Sequence, residues 1–169
     1  GFPAVQVIYH MPWDHNLGIA VGGGLFYGYN AQTAGDVTGF SGLAEGRWRF
    51  WQDGEHSIAL TAAPALMIQV DPAFALGLVV GGPGLTYDYE INGEHHAVLG
   101  FQVPWGVFFS EAGAAARIPL VFKMGMEFEL SRQMHIFVSN EVGADVWSGE
   151  VYEGAYLYVR ALAGAGFAL

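Results

Sequence analysis

Cysteine is absent from this sequence of 169 residues, and charged residues are scarce. Without cysteine the chain has neither a disulfide framework nor a thiolate metal site, so bridges reveal nothing about the redox compartment. Charged residues make up 13% of the chain, whereas a soluble domain usually carries about 25%. Because 53% of the residues are hydrophobic, there are too few charges to coat a soluble surface.

Basic residues are the rarer of the charged types. Lys and Arg together number 6 against 16 Asp and Glu, which gives a formal net charge of −10. Binding to nucleic acid requires clustered Lys and Arg, so nucleic acid is excluded as a partner. Simple electrostatic docking onto anionic lipid is disfavoured for the same reason. We expect an acidic partner to need a bridging divalent cation.

Long hydrophobic runs are also missing. No stretch reaches the roughly 18 consecutive apolar residues of a membrane helix. The 25 glycines are spread through the patterned segments, and each would cost a helix about 1 kcal/mol relative to Ala. No basic and then apolar leader opens the chain, so any signal peptide is expected to have been removed before Gly1. No linker divides the chain, which indicates one domain over 1–169.

Strict alternation of apolar and polar residues is the dominant pattern, and it indicates β-strands. Nine segments alternate in this way, and most exceed ten residues. A membrane-crossing strand needs about nine to eleven residues, whereas ordinary strands average about five or six. The predicted strands are 2–11, 17–29, 37–51, 56–70, 74–91, 95–109, 118–131, 134–147 and 156–169.

The connections between the predicted strands differ in length, which indicates that the two ends of the sheet differ. Tight turn chemistry occurs at 52–55, 92–94 and 131–133, and longer loops are predicted at 30–36, 110–117 and 148–155. Short turns at one end and long loops at the other are typical of bacterial outer-membrane barrels. Asp71-Pro72-Ala73 departs from this pattern, because it is as tight as the turns of the opposite end.

The polar faces of the strands carry few charges among Gly, Ala and Ser. Four are positive and five negative, so they can pair with one another in a closed lumen. A soluble barrel would instead direct its apolar face inward. We therefore predict that the apolar face meets lipid and that an ion-paired network fills the lumen. Its predicted members are Glu45, Arg47, Arg49, Lys123, Glu127, Glu129, Glu141, Asp145 and Arg160.

The end of the chain alternates from Leu157 to Leu169, with Gly164 on the other face. With this ending and with aromatics near strand ends, the chain resembles the small outer-membrane β-barrel proteins of diderm bacteria. Gly164, Phe167 and Leu169 are similar to the C-terminal assembly signal of such barrels. Leu169 departs from it where an aromatic is commonest, and Leu162 departs where a polar residue is often found.

The resemblance implies an all-β fold, an antiparallel up-and-down transmembrane β-barrel in the bacterial outer membrane. It implies the lipid bilayer, lipopolysaccharide and the barrel-assembly machinery as partners, with an envelope protein as a further candidate. No cofactor and no metal are expected. Nine segments leave the termini at opposite ends, so eight strands from 17 to 169 are favoured, with 1–16 as an extra or pre-barrel segment. Ten strands result if Gly81-Gly82-Pro83-Gly84 forms a turn.

Three groups of residues are candidates for chemistry. His135, Ser139 and Glu141 share a face, as in a lipid hydrolase, but His135 and Ser139 would be about 13 Å apart along one strand. His10 is an alternative base from another strand. The pair His95-His96 beside Glu94 suggests a metal site, yet adjacent strand residues point to opposite faces. The run 22–24 lacks the strand-to-helix context of a phosphate loop.

The predicted function depends on the charged residues on the polar faces of the strands. Glu45, Arg47 and Arg49 set against Lys123, Glu127 and Glu129 form either a salt-bridged plug or a polar path for ions. An eight-stranded barrel is only wide enough to be filled by side chains, which favours the plug. We therefore expect a non-enzymatic structural or surface protein, or an accessory subunit of an envelope assembly. A narrow pore for ions or small solutes and an outer-membrane lipid-modifying hydrolase are the alternatives.

Overall fold

The computed structural model describes residues 4–12, 16–30, 35–71, 73–131, 134–150 and 153–167. These ranges contain twelve β-strands, all in one sheet. Among the described residues, no helix is long and apolar enough to span a membrane. The strands are β1 (Ala4–Pro12), β2 (Leu17–Asn30), β3 (Gly35–Asp53), β4 (His56–Ala62), β5 (Ala65–Asp71), β6 (Ala75–Val79), β7 (Pro83–Glu90), β8 (His95–Gln102), β9 (Gly106–Ser110), β10 (Gly113–Ser131), β11 (Met134–Gly149) and β12 (Gly154–Phe167).

Every pairing in the sheet is antiparallel. The long strand β3 pairs with β5 through residues 38–43 and with β4 through residues 46–53. Strands β4 and β5 therefore lie end to end and together occupy one position in the sheet, as one long strand with a gap would. We call each such full-length position in the sheet a stave, whether or not it is interrupted. The pairs β6/β7 and β8/β9 form two more staves of the same kind. The all-β, up-and-down arrangement is confirmed, and the nine staves correspond to the nine segments predicted from the alternation.

The three interruptions lie side by side, and proline explains them. Pro64 separates β4 from β5, Pro83 begins β7 after the end of β6, and Pro104 separates β8 from β9. On β10, Pro119 lies between Arg117, which pairs with Gly106, and Val121, which pairs with Gln102, so it faces the third interruption. Proline has no N–H to donate to a ladder. We call this row of four prolines the proline seam.

The favoured prediction of eight strands after residue 16 matches the eight staves from β2 to β12, and β1 adds the extra segment. Strands β6 and β7 pair with different neighbours and not with each other, so Gly81–Gly84 is not a hairpin turn and the ten-strand alternative does not hold. Eight strands form a closed ring of pairings around the seam: β3, β4, β7, β8, β10, β9, β6 and β5. The extra segment predicted within 1–16 contains β1, which pairs with β2. In the described residues, β1 and β12 each pair with one neighbour.

The predicted long loop at 110–117 is wrong. Strand β9 ends at Ser110 and β10 begins at Gly113, which leaves a connection of two residues. Gly113 has a φ of 134°, a region that favours glycine and permits this tight reversal. The connections between strand bounds at the other predicted loops, 31–34 and 150–153, have four residues each, as many as the connection 91–94 at a predicted turn. The contrast between short turns and long loops is therefore absent from these connections.

The two faces of the sheet have opposite exposures, as the alternation predicts. Phe122 is 59% exposed and Met126 41% exposed, whereas Lys123 and Glu127 are only partly exposed on the other face. The apolar run from Ala116 to Leu130 extends about 46 Å at about 3.3 Å per residue, or about 33 Å of depth at a tilt near 45°. An exposed apolar surface of this extent is a lipid-facing surface. The soluble-barrel interpretation is excluded.

Candidate functional site

The inner face, opposite the lipid-facing one, carries most of the predicted ionic network. Lys123, Glu141 and Arg160 lie directly across from one another on β10, β11 and β12. The carboxylate of Glu141 lies 3.8 Å from Nη1 of Arg160. It also accepts a hydrogen bond of 2.8 Å from the Tyr158 hydroxyl. Glu141 and Arg160 are therefore paired with each other across neighbouring strands.

A bidentate ion pair on this face includes Arg117, a residue that the sequence prediction missed. Nε and Nη2 of Arg117 donate to both carboxylate oxygens of Asp145 at 2.8–3.0 Å. The side chains are 19% and 13% exposed. Such a fork-to-fork contact is stronger than a single hydrogen bond and fixes its geometry. Aromatic rings also surround the guanidinium, with centroids 5.4 Å away at Trp147, 5.9 Å at Phe108 and 6.0 Å at Tyr158.

A second cluster joins three strands near the 54–55 turn. Nη2 of Arg47 on β3 lies 3.3 Å from Oδ2 of Asp88 on β7, and Nδ1 of His96 on β8 lies 3.1 Å from Oδ1. Arg47 and His96 are 39% and 35% exposed, but Asp88 is only 17% exposed. The acid is therefore covered by the two basic groups that it orients. On the same face, Nη1 of Arg49 donates to Oε1 of Gln52 at 3.0 Å.

The predicted juxtaposition of Glu45, Arg47 and Arg49 with Lys123, Glu127 and Glu129 joins β3 to β10. These strands are separated in the sheet by β4, β7 and β8. The ion pairs of Asp88, Asp145 and Glu141 join strands that are adjacent or one strand apart. They run along the wall. The lumen role of the predicted network stays a prediction.

The hydrolase candidates are not assembled by the described contacts. Ser139 is buried, with Gly125 and Leu162 directly across from it. Glu141 is held by Arg160 and Tyr158. The side chains of His135 and His10 lie outside the described part of the structure, so the proposed bases stay untested.

The two adjacent histidines have different surroundings. His95 packs against the Phe128 ring at 5.3 Å between centroids, whereas His96 contacts Asp88 on the inner face. In the described ranges, no three His, Asp or Glu side chains are grouped so as to hold a metal ion. The run 22–24 lies within β2, where it pairs with β3.

The predicted assembly signal lies on β12 and at the end of the chain. Gly164 pairs with Phe137, whose ring occupies the space that a Cβ at Gly164 would need. The backbone of Phe167 pairs with Met134. Leu169 lies outside the described residues, and the role of all three in assembly stays a prediction.

Comparison with known proteins finds solved structures of similar fold but no matching family. No protein-family model and no curated protein matches the sequence. Two solved structures of Vibrio cholerae are similar to it: in-vitro folded OmpT, described as an outer membrane protein, and outer-membrane expressed OmpT. Their TM-scores are 0.42 and 0.43 at 11% and 12% identity. Each match covers 98% of this chain and 56% of the other, so the chain spans about half the length of these neighbours.

Proposed function

We propose that this chain forms the wall of a water-filled pore in a bacterial outer membrane and passes small polar solutes without chemical change. One observation carries this proposal. The ion pairs Arg47–Asp88, Arg117–Asp145 and Glu141–Arg160 join nearby strands along the wall. A salt-bridged plug, favoured by the sequence, requires side chains that fill the centre.

The burial of the inner face supports the same conclusion. Arg47, Arg160 and His96 each keep more than a third of their side-chain surface exposed. The largest fully buried side chains in the described residues are only Val37 and Pro119. The interior of a barrel with about eight strands is just filled by side chains, and its diameter grows with strand number. Nine staves with exposed inner charges fit a wetted wall better than a packed core.

Conductance tests the proposal. The full chain, refolded into planar lipid bilayers, is expected to give currents clearly above those of protein-free membranes. Arg47→Ala should shift the reversal potential in a salt gradient towards cation preference, because a positive charge leaves a wall that also carries Asp88. Phe40→Leu on the lipid-facing side is the matched control and should leave the current unchanged. Background conductance in folded protein would favour the structural or accessory role instead.

A further inference from the structure

A pocket of about 300 Å³ lies on the inner face near the 54–55 turn. Its lining includes the Arg47, Asp88 and His96 cluster, together with Arg49, Glu55 and Glu90. Binding pockets for small molecules begin at about this size. The pocket is therefore large enough for a solute of a few heavy atoms.

Two basic residues of the pocket are held in place by Asp88, which is largely buried beneath them. Asp88 holds the guanidinium of Arg47 through one oxygen and the imidazole of His96 through the other. The Asp88 contact uses one of the five N–H groups that a guanidinium carries. Because Arg47 is more exposed than Asp88, a solute meets the N–H groups of the guanidinium before it meets the acid. Such donors suit a carboxylate.

Two further acidic residues, Glu55 and Glu90, also line the pocket. The backbone N–H of Glu90 donates to the carbonyl of Glu55 at 2.8 Å, which joins the turn to β7. Glu90 lies directly across from His96 on β8. A simple anion in the pocket would meet Glu55 and Glu90, and a simple cation would meet Arg47 and Arg49. A solute that carries both charges meets a partner for each.

We propose that this pocket binds a small zwitterion, an amino acid or a dipeptide, with its carboxylate at Arg47 and its ammonium group at Glu55 and Glu90. The inference rests on the proposed pore only in that the solute would reach the pocket through it. Binding is measurable on protein folded in detergent, whether or not current flows.

Isothermal titration of the folded full chain near neutral pH tests the proposal with three matched probes. Glycylglycine carries both charges, N-acetylglycine only the carboxylate, and glycinamide only the ammonium group. We expect glycylglycine to bind at least about tenfold more tightly than either, as expected for one charge-assisted interaction. Arg47→Gln and Glu90→Gln should each weaken glycylglycine binding by a similar factor. Arg160→Gln, on the same face but outside the pocket lining, should not.

Three results would overturn the proposal: equal binding of a singly charged probe, no saturable heat with any probe, or an equal loss in Arg160→Gln. Gel mobility of the unheated variants identifies any variant that fails to fold. If either Arg47→Gln or Glu90→Gln fails to fold, glycylglycine binding by the other variant decides the test. Conductance without glycylglycine binding would refute this site and leave the pore intact. Binding without conductance would refute the pore and leave the site.

Discussion

Arg117 and Asp145 illustrate how single residues stabilise a wetted wall. Their bidentate contact at 2.8–3.0 Å joins side chains that are only 19% and 13% exposed. The rings of Trp147, Phe108 and Tyr158 around the guanidinium keep water from part of it. An ion pair shielded in this way depends on both partners, because either one alone would remain as a poorly solvated charge.

We therefore predict that Asp145→Asn lowers the free energy of unfolding by about 2 kcal/mol, the range for a hydrogen bond to a charged group. Arg160→Gln is the matched control, because its contact with Glu141 is longer at 3.8 Å and its side chain more exposed. We expect the control to cost under about 1 kcal/mol. Urea unfolding in lipid vesicles, followed by tryptophan fluorescence, measures both. Equal losses would contradict a special role for the Arg117 pair.

Gly82 is a second residue whose identity is fixed by its surroundings. It lies at the proline seam, and a Cβ there would collide with the backbone carbonyl of Val103. Backbone cannot move aside as a flexible side chain can. The two strands therefore approach closely where their ladder is interrupted.

We predict that Gly82→Ala destabilises the fold by about 1–3 kcal/mol, the usual cost of overpacking. Gly46→Ala is the control, since a Cβ at Gly46 would have nothing within 4 Å of it, and it should change stability by no more than about 0.5 kcal/mol. The fraction of protein that refolds into vesicles, together with the urea midpoint, provides the measurement. A Gly82→Ala variant as stable as Gly46→Ala would show that the seam tolerates a methyl group.

At the scale of one element, β10 shows most clearly how one face of a strand contacts lipid and the other faces the interior. Its apolar residues from Ile118 to Met126 are exposed on one face, and Arg117, Lys123 and Glu127 are partly covered on the other. Each residue on this strand has one of two environments, because successive side chains point to opposite faces. A one-residue slip of register would place every charge in lipid.

We predict that Phe122→Lys costs about 2–4 kcal/mol, as for a basic residue at the middle of the lipid face of a barrel. Lys123→Gln, one residue away on the inner face, should cost less than about 1 kcal/mol. Unfolding in vesicles of a phospholipid with defined chain length compares the two variants. If Lys123→Gln were the more damaging change, the assignment of the faces would be reversed.

At the scale of the whole molecule, nine staves joined by antiparallel pairings make β1 and β12 run in the same direction. The largest exposures among the large hydrophobic residues belong to Leu157 and Val159, both on β12. These side chains have a neighbouring strand on only one side within the described residues. The lipid-facing residues from β2 to β11 have a neighbouring strand on each side.

We predict that the expressed protein fractionates with outer membranes and migrates faster on a gel before boiling than after it, because a closed β-sheet resists detergent until heated. Phe122→Lys should reduce the fast-migrating form, and Lys123→Gln should not. Recovery in the soluble fraction without detergent would contradict the lipid-facing assignment for the whole protein.

The sequence determined the nine staves, their order and the face that meets lipid, because a period of two is a local property that hydrophobic contrast makes visible. It also placed Asp145, Glu141 and Arg160 on one face. Arg117 was missed, although Arg117, Pro119, Val121 and Lys123 continue the inner-face spacing, because the small residues Ala114–Ala116 hide the alternation and resemble a loop.

Only the tertiary structure decided which charges meet. Arg47 contacts Asp88, forty-one positions along the chain, because β4 pairs with both β3 and β7 and leaves these two strands one strand apart. The proline seam has the same origin: Pro64, Pro83, Pro104 and Pro119 are spread along the chain, and register alone aligns them. Periodicity fixes the face on which a side chain lies, but strand pairing and register fix its neighbours, and these depend on the whole sheet.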